Sequence, residues 1–285
     1  MKRHGTFGWV AALSGAIIIA LAIANSPSSQ LTPTALAARV DDDDRTCSVS
    51  SLRGAFVVSI NGFQTSQAPP QFSISAYSPF MVIGKFTFDG EGNVSRSVTV
   101  SIAGLPGPVA DTGSYQINPD CSGSATFPTN SEMFGFNLVD SRLIAIVTMT
   151  PGETGAGTLA KQEIRNCSTE SLRGVYVFNT NGLGTFQTPP QQTDGFFPVS
   201  AAGGWTLDGK GGVSRSLSLN FAGFPGPYVD SGTYQVKSDC TASAYFPTDT
   251  EPFQLILIDS RTIVAGVVVG GRTGSGTLVK QTFKE

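Results

Sequence analysis

Two arginines, Arg96 and Arg215, are the charged side chains best placed to do chemistry. Each falls at the strand parity of an apolar face, Arg96 between Val94 and Val98 and Arg215 between Val213 and Leu217. A guanidinium there is costly unless it is paired. It therefore holds an anionic ligand group, pairs with a carboxylate inside the fold, or reaches solvent from a strand end. Carboxylates recur at matching positions as Asp89 and Asp208, Asp111 and Asp230, and Glu132 and Glu251. The first two open Asp-Gly-x-Gly, which reads as a capped turn, with a Ca²⁺ loop as the alternative. No pair among the six is fixed by sequence at one site, so glycosidase-like acid/base work is unsupported. The single histidine, His4, lies in the N-terminal basic stretch. That excludes His-based acid–base chemistry, a Ser-His-Asp arrangement and His-ligated metals. An enzyme built from what remains would be a cofactor-free isomerase or cyclase using carboxylate, Tyr and Arg, and the residues call for neither metal nor cofactor.

A second group of candidates is aromatic. Phe63, Phe72, Tyr77, Phe80 and Phe127 cluster in or beside the longer connections, as do Phe186, Phe196, Phe197, Tyr228 and Phe246. Pro69-Pro70 and Pro189-Pro190 stiffen those segments. Phe63, Tyr77, Phe80, Phe196 and Phe197, with the two arginines, form the expected ligand-binding set. The ligand is a small apolar or anionic molecule, or else a protein or carbohydrate at the loop surface. Packing of the rings over the end of the fold is the alternative.

The elements that must position these residues come in two copies. Phe86 to Glu163 aligns without a gap on Trp205 to Thr282, with 39 of 78 positions identical, and Cys47 to Gln71 matches Cys167 to Gln191. At this period each copy is a whole domain. Each reads as about eight sequential strands, in the first copy near 53–60, 81–88, 94–102, 112–118, 123–128, 134–139, 143–150 and 157–164. The third alternates cleanly, with Val94, Val98, Val100 and Ile102 on one face and Ser95, Ser97, Thr99 and Ser101 on the other. Tight turns after strands 2, 4 and 6 contrast with longer connections at Asn61 to Phe80, Ala103 to Asp111 and Pro151 to Thr154. That sorting predicts an all-β fold of two tandem antiparallel up-and-down eight-stranded barrels, with immunoglobulin-like sandwiches as the alternative.

The four cysteines allow three pairings. Duplication favours Cys47–Cys121 and Cys167–Cys240, both at the tight-turn rim.

The N-terminus reads as an export signal over 1–37, with a basic start and an apolar run from Val10 to Ala24 too short to span a bilayer. An acidic lead-in over 38–46, carrying Asp41 to Asp44, precedes barrel repeats over 47–165 and 166–285. Cleavage after Ala37 removes Lys2 and Arg3 from 18 basic residues set against 21 acidic ones, leaving a formal charge of −5. Nucleic acid is therefore not an expected partner. The expected mature chain has no membrane-spanning helix and is exported, whether periplasmic, cell-surface or secreted, with an uncleaved membrane anchor as the alternative.

Leu52-Arg53-Gly54-Ala55-Phe56 and Leu172-Arg173-Gly174-Val175-Tyr176 resemble the Gly-x-Trp opening of lipocalin and avidin-like (calycin) barrels, with Phe or Tyr in place of Trp. The resemblance implies that this ring plugs the closed end of a barrel. The whole pattern, with Asp-Gly-x-Gly, Gly-x-Tyr and Asp-Cys, is similar to exported bacterial proteins of unknown function. The expected function is a non-enzymatic binding or structural module.

Overall fold

The computed structural model describes residues 46–65, 77–184, 195–249, 252–267 and 271–282. The N-terminal segment, Phe72, Phe186, Glu251 and both Pro-Pro pairs lie outside these. Two closed antiparallel barrels of eight strands each follow one another along the chain. Barrel 1 runs β1 (Arg53–Thr65), β2 (Tyr77–Asp89), β3 (Asn93–Ile102), β4 (Leu105–Ile117), β5 (Ser122–Phe127), β6 (Glu132–Leu138), β7 (Leu143–Thr148) and β8 (Glu153–Lys161). Barrel 2 repeats it as β9 (Arg173–Gly184), β10 (Phe197–Asp208), β11 (Gly212–Phe221), β12 (Phe224–Val236), β13 (Thr241–Tyr245), β14 (Phe253–Leu257), β15 (Thr262–Val267) and β16 (Arg272–Lys280). Each strand pairs with its sequence neighbour, and β8 and β16 close back on β1 and β9. No strand is left to pair across the two, so the sandwich alternative falls away.

The alternation in the sequence is the alternation in the wall as far as Val98, and it reverses at the strand end, where Ser101 is buried against Thr273 of barrel 2 and Ile102 is exposed. Val94, Arg96 and Val98 of β3 point into barrel 1 and are buried, while Asn93, Ser95 and Ser97 are exposed. Several expected strand boundaries move. Ala103 and Gly104 alone connect β3 to β4, so Leu105 to Asp111 is strand rather than loop. Ala103 takes φ 51° and Gly104 φ 78°, the left-handed pair of a two-residue hairpin. The β1 and β2 strands likewise reach to Thr65 and Tyr77, which puts Phe63, Tyr77 and Phe80 on strands. The Pro-rich composition of both stretches hid them, because Pro106 and Pro108 sit where β4 runs beyond the end of its β5 partner.

The closed ends are built alike. Disulfides Cys47–Cys121 and Cys167–Cys240 tie each N-terminal lead to the β4–β5 or β12–β13 turn. Those turns put Cys121 and Cys240 at positive φ, with Asp120 and Asp239 accepting the amides of Ser122 and Thr241. Tyr115 donates its hydroxyl to the Val49 and Leu52 carbonyls, and Tyr234 does the same to Thr169 and Leu172. Phe56 and Tyr176 are fully buried, Phe56 with its ring 5.5 Å from that of Phe88.

The barrels lie side by side within one compact unit. A separate apolar cluster of Val57, Met81, Ile83, Ile256 and Val264 fills the seam. The β3–β4 turn rests on barrel 2 at the start of β16, where the Gly104 amide reaches Thr273 Oγ1 at 2.8 Å. A Cβ on Gly104 would fall 2.6 Å from the Gly271 nitrogen. At the other end the Glu163 amide bonds the Ile258 carbonyl at 2.8 Å, and Lys85 bonds the Asp239 carbonyl. Contacts that match mouth with mouth and closed end with closed end mean that both barrels open toward the same side.

Candidate functional site

Each inward arginine is ion-paired inside its barrel. The register sets this up, since Arg96 lies opposite Asp111 and Arg215 opposite Asp230 on the next strand. Arg96 holds Asp111 with two bonds, at 2.6 and 3.1 Å, and Glu132 with a third. Its guanidinium lies 4.0 Å from the Phe127 ring. Arg215 binds Asp230 at 2.5 and 2.8 Å and Asp249 at 2.6 Å, over the Phe246 ring at 3.6 Å. Fork-to-fork pairing of this kind satisfies a buried guanidinium in full geometry. Burial raises the Asp230 carboxyl, but the bonds from Arg215 and Thr248 outweigh it and hold the group below its ordinary range. The ion-pair alternative read from sequence is thus the geometry both arginines adopt.

The other candidates separate. Asp89 accepts the amides of Glu91 and Asn93, and Asp208 those of Lys210 and Gly212, so both cap exposed turns. Phe63 is 43% exposed at the outward parity of β1, and Tyr77 has the outward parity of β2. Phe80 points inward and is buried. Phe196 precedes β10, and Phe197 packs on Phe221 at the mouth of barrel 2, ring centroids 4.3 Å apart.

Among the described residues, barrel 2 combines a cavity at its mouth with these groups. The cavity is about 80 Å³, walled by Phe178, Val199, Leu217, Phe253 and Val267, with Arg215, Tyr228, Asp249 and Arg272 along its polar side. In barrel 1 the same space is filled. The Phe80 ring crosses the mouth so closely that a Cβ on Gly62 or Gly155 would come within 2.8 and 2.7 Å of it. Barrel 2 keeps both glycines, as Gly182 and Gly274, but has Val199 for Phe80, Thr180 for Ile60 and Ala201 for Val82. A wider, open depression of about 560 Å³ lies outside barrel 1 where β4 and β5 part. Its charged residue, Glu132, is already paired with Arg96.

The charge at the two mouths also differs. Barrel 1 sets Asp111, Glu132 and Glu153 against Arg96; burial, reinforced by Glu132, pushes the Glu153 carboxyl up. At the position of Glu153 barrel 2 has Arg272, whose Nη1 meets Asp249 Oδ1 at 3.3 Å while its side chain stays 38% exposed. Among the described residues, barrel 2 thus sets two arginines against two aspartates. Sequence reading missed Arg272 and Asp249 because it followed positions the repeats share. The signal lay in positions where they differ, Glu153 against Arg272 and Asn130 against Asp249.

Deeper in barrel 2, Tyr176 and Trp205 stand where barrel 1 has Phe56 and Phe86. Their Oη and Nε1 are buried without a hydrogen-bond partner among the described residues. Burial pushes the Tyr176 hydroxyl up to about 12.

No protein-family model and no curated protein matches this chain. A crystal structure of a protein of unknown function from the DUF3598 family of Nostoc punctiforme aligns with 81% of this chain and 97% of its own, at 11% identity and a TM-score of 0.27. Likeness at that level assigns this chain neither a fold nor an activity.

Proposed function

We propose that this is an exported, non-enzymatic binding module in which barrel 2 takes a small ligand with an apolar body and an anionic head, while barrel 1 serves as its scaffold. Arg272 carries the reading. It stands half-open at the rim of an apolar cavity and, among the described residues, bonds Asp249 through a single N–H at 3.3 Å. A guanidinium has five N–H donors, so several remain to face an incoming carboxylate. Arg215 and Asp249 behind it fix the geometry, and Phe197 and Tyr228 border the entrance. Two disulfides suit an oxidising compartment, which supports export.

Calorimetric titration with short-chain carboxylates, butyrate to octanoate, and with the matching alcohols tests this. The acids should bind and the alcohols bind about tenfold more weakly, the difference being one charge-assisted hydrogen bond. Arg272→Glu, which installs the residue of barrel 1, should abolish acid binding. Equal binding of acid and alcohol, or none of either, contradicts the proposal.

A further inference from the structure

The seam between the barrels joins two different faces. Barrel 1 supplies the outer surface of β1 and β2, through Val57, Met81 and Ile83; barrel 2 supplies that of β14 and β15, through Ile256, Val264 and the adjoining Ile258. Duplication gives every barrel both faces, so each barrel retains one that the seam leaves uncovered. A contact between unlike faces is heterologous, and a single pair does not close it.

The uncovered face of barrel 1, on β6 and β7, is the copy of barrel 2's seam face. It presents Met133, Leu143, Val147 and Met149, between 38% and 54% exposed. Neighbouring β8 adds Ala156 and Ala160, and no outward position on these three strands is charged. The uncovered face of barrel 2, on β9 and β10, is the copy of barrel 1's seam face. Val177 holds the position of Val57 there and is 44% exposed, where Val57 is 1%. Val279 lies opposite Val177 on β16, and Val175 is two residues away on the same side. Eight of the fourteen large hydrophobic side chains exposed among the described residues belong to these two faces, Val139 at the end of β6 included. Their concentration there sets them apart from scattered surface apolars, which need no explanation.

We propose that the protein assembles head to tail, the β6–β7 face of one copy docking on the β9–β10 face of the next as its own barrels dock. The occupant is a second copy because the two uncovered faces are copies of two that already fit. The copies are also milder. Ser200 and Ala202 replace Met81 and Ile83, while Asn137 and Ala145 replace Ile256 and Val264. Smaller and more polar side chains bury less apolar area, so the intermolecular contact forms with rising concentration and is not permanent.

Sedimentation velocity on the purified protein, from micromolar to millimolar, is the test, run beside Val147→Lys and Val177→Lys. The wild type should grow past the dimer. Each variant alone should remain monomeric, having lost one face. An equimolar mixture of the two variants should give dimers and nothing larger, since each supplies the face the other lacks. Circular dichroism checks the fold, and Gln at the same two positions repeats the mixture test should a lysine disturb it. A wild type that stays monomeric throughout overturns the proposal and leaves these faces to another kind of partner. A variant that still associates by itself overturns it too, because that would require like faces to meet.

Discussion

The mouths of the two barrels began as one design and now differ in charge and in whether the space above the arginine is filled. In barrel 1 the Phe80 ring lies over Gly62 and Gly155, with Ile60 and Val82 beside it. In barrel 2 the corresponding side chains are Val199, Thr180 and Ala201, and a cavity stands over Arg215. The closed ends show no such divergence: disulfide, tyrosine cap and turn chemistry are kept in both. Geometry was preserved where the barrel must be sealed and released where a ligand could enter. Loops and rims carried on a rigid scaffold are the common place for such change.

The largest effect that would sharpen this comparison is truncation at the mouths. Phe80→Ala should cost about 3–5 kcal/mol, because it empties a packed lumen. Val199→Ala removes less volume and borders a void already, so about 1 kcal/mol is expected. Equal losses in chemical denaturation would mean that barrel 2 is as tightly packed as barrel 1, and the contrast would fail.

Removing the arginines should separate the barrels next. Arg96→Met leaves Asp111, Glu132 and Glu153 without a buried cation, at about 3 kcal/mol or more. Arg215→Met leaves Asp230 and Asp249 with Arg272 still at 3.3 Å from Asp249, and should cost less. The opposite order would show that Arg272 does not share the load.

The smallest effect concerns the core of barrel 2. Tyr176→Phe restores the residue type of barrel 1 and relieves an unpartnered buried hydroxyl, which should stabilise by about 1–2 kcal/mol. The pH dependence has a defined sign. Folding raises the Tyr176 pKa from 10 to about 12, so the folded state holds its proton after the unfolded chain has released it. Stability from this group is present below pH 10 and lost as pH rises from there to about 12. Tyr176→Phe should flatten that alkaline fall; an unchanged fall would place its origin elsewhere.

Much of this was legible in the residues. Period-two alternation gave the strands, and turn residues gave three of the hairpins, because local backbone chemistry decides both. The cysteine pairing followed from the duplication. Strand ends at Thr65, Tyr77 and Leu105 were not legible, since Pro and Gly in or beside a strand end look the same as a loop. The role of Phe80 was hidden for another reason. One residue of register decides whether a ring near a strand end points in or out, and its connection hid the register. Arg96 and Arg215 were found by parity, their partners Asp111 and Asp230 only by the register between strands.

The central claim is that barrel 2 binds because its mouth is unfilled, and Val199→Phe tests it most directly. Gly182 and Gly274 still provide the floor on which such a ring lies in barrel 1. Calorimetric titration of hexanoate against this variant should show binding lost while thermal stability is kept or raised. Hexanoate bound as tightly by Val199→Phe as by the wild type would contradict the account.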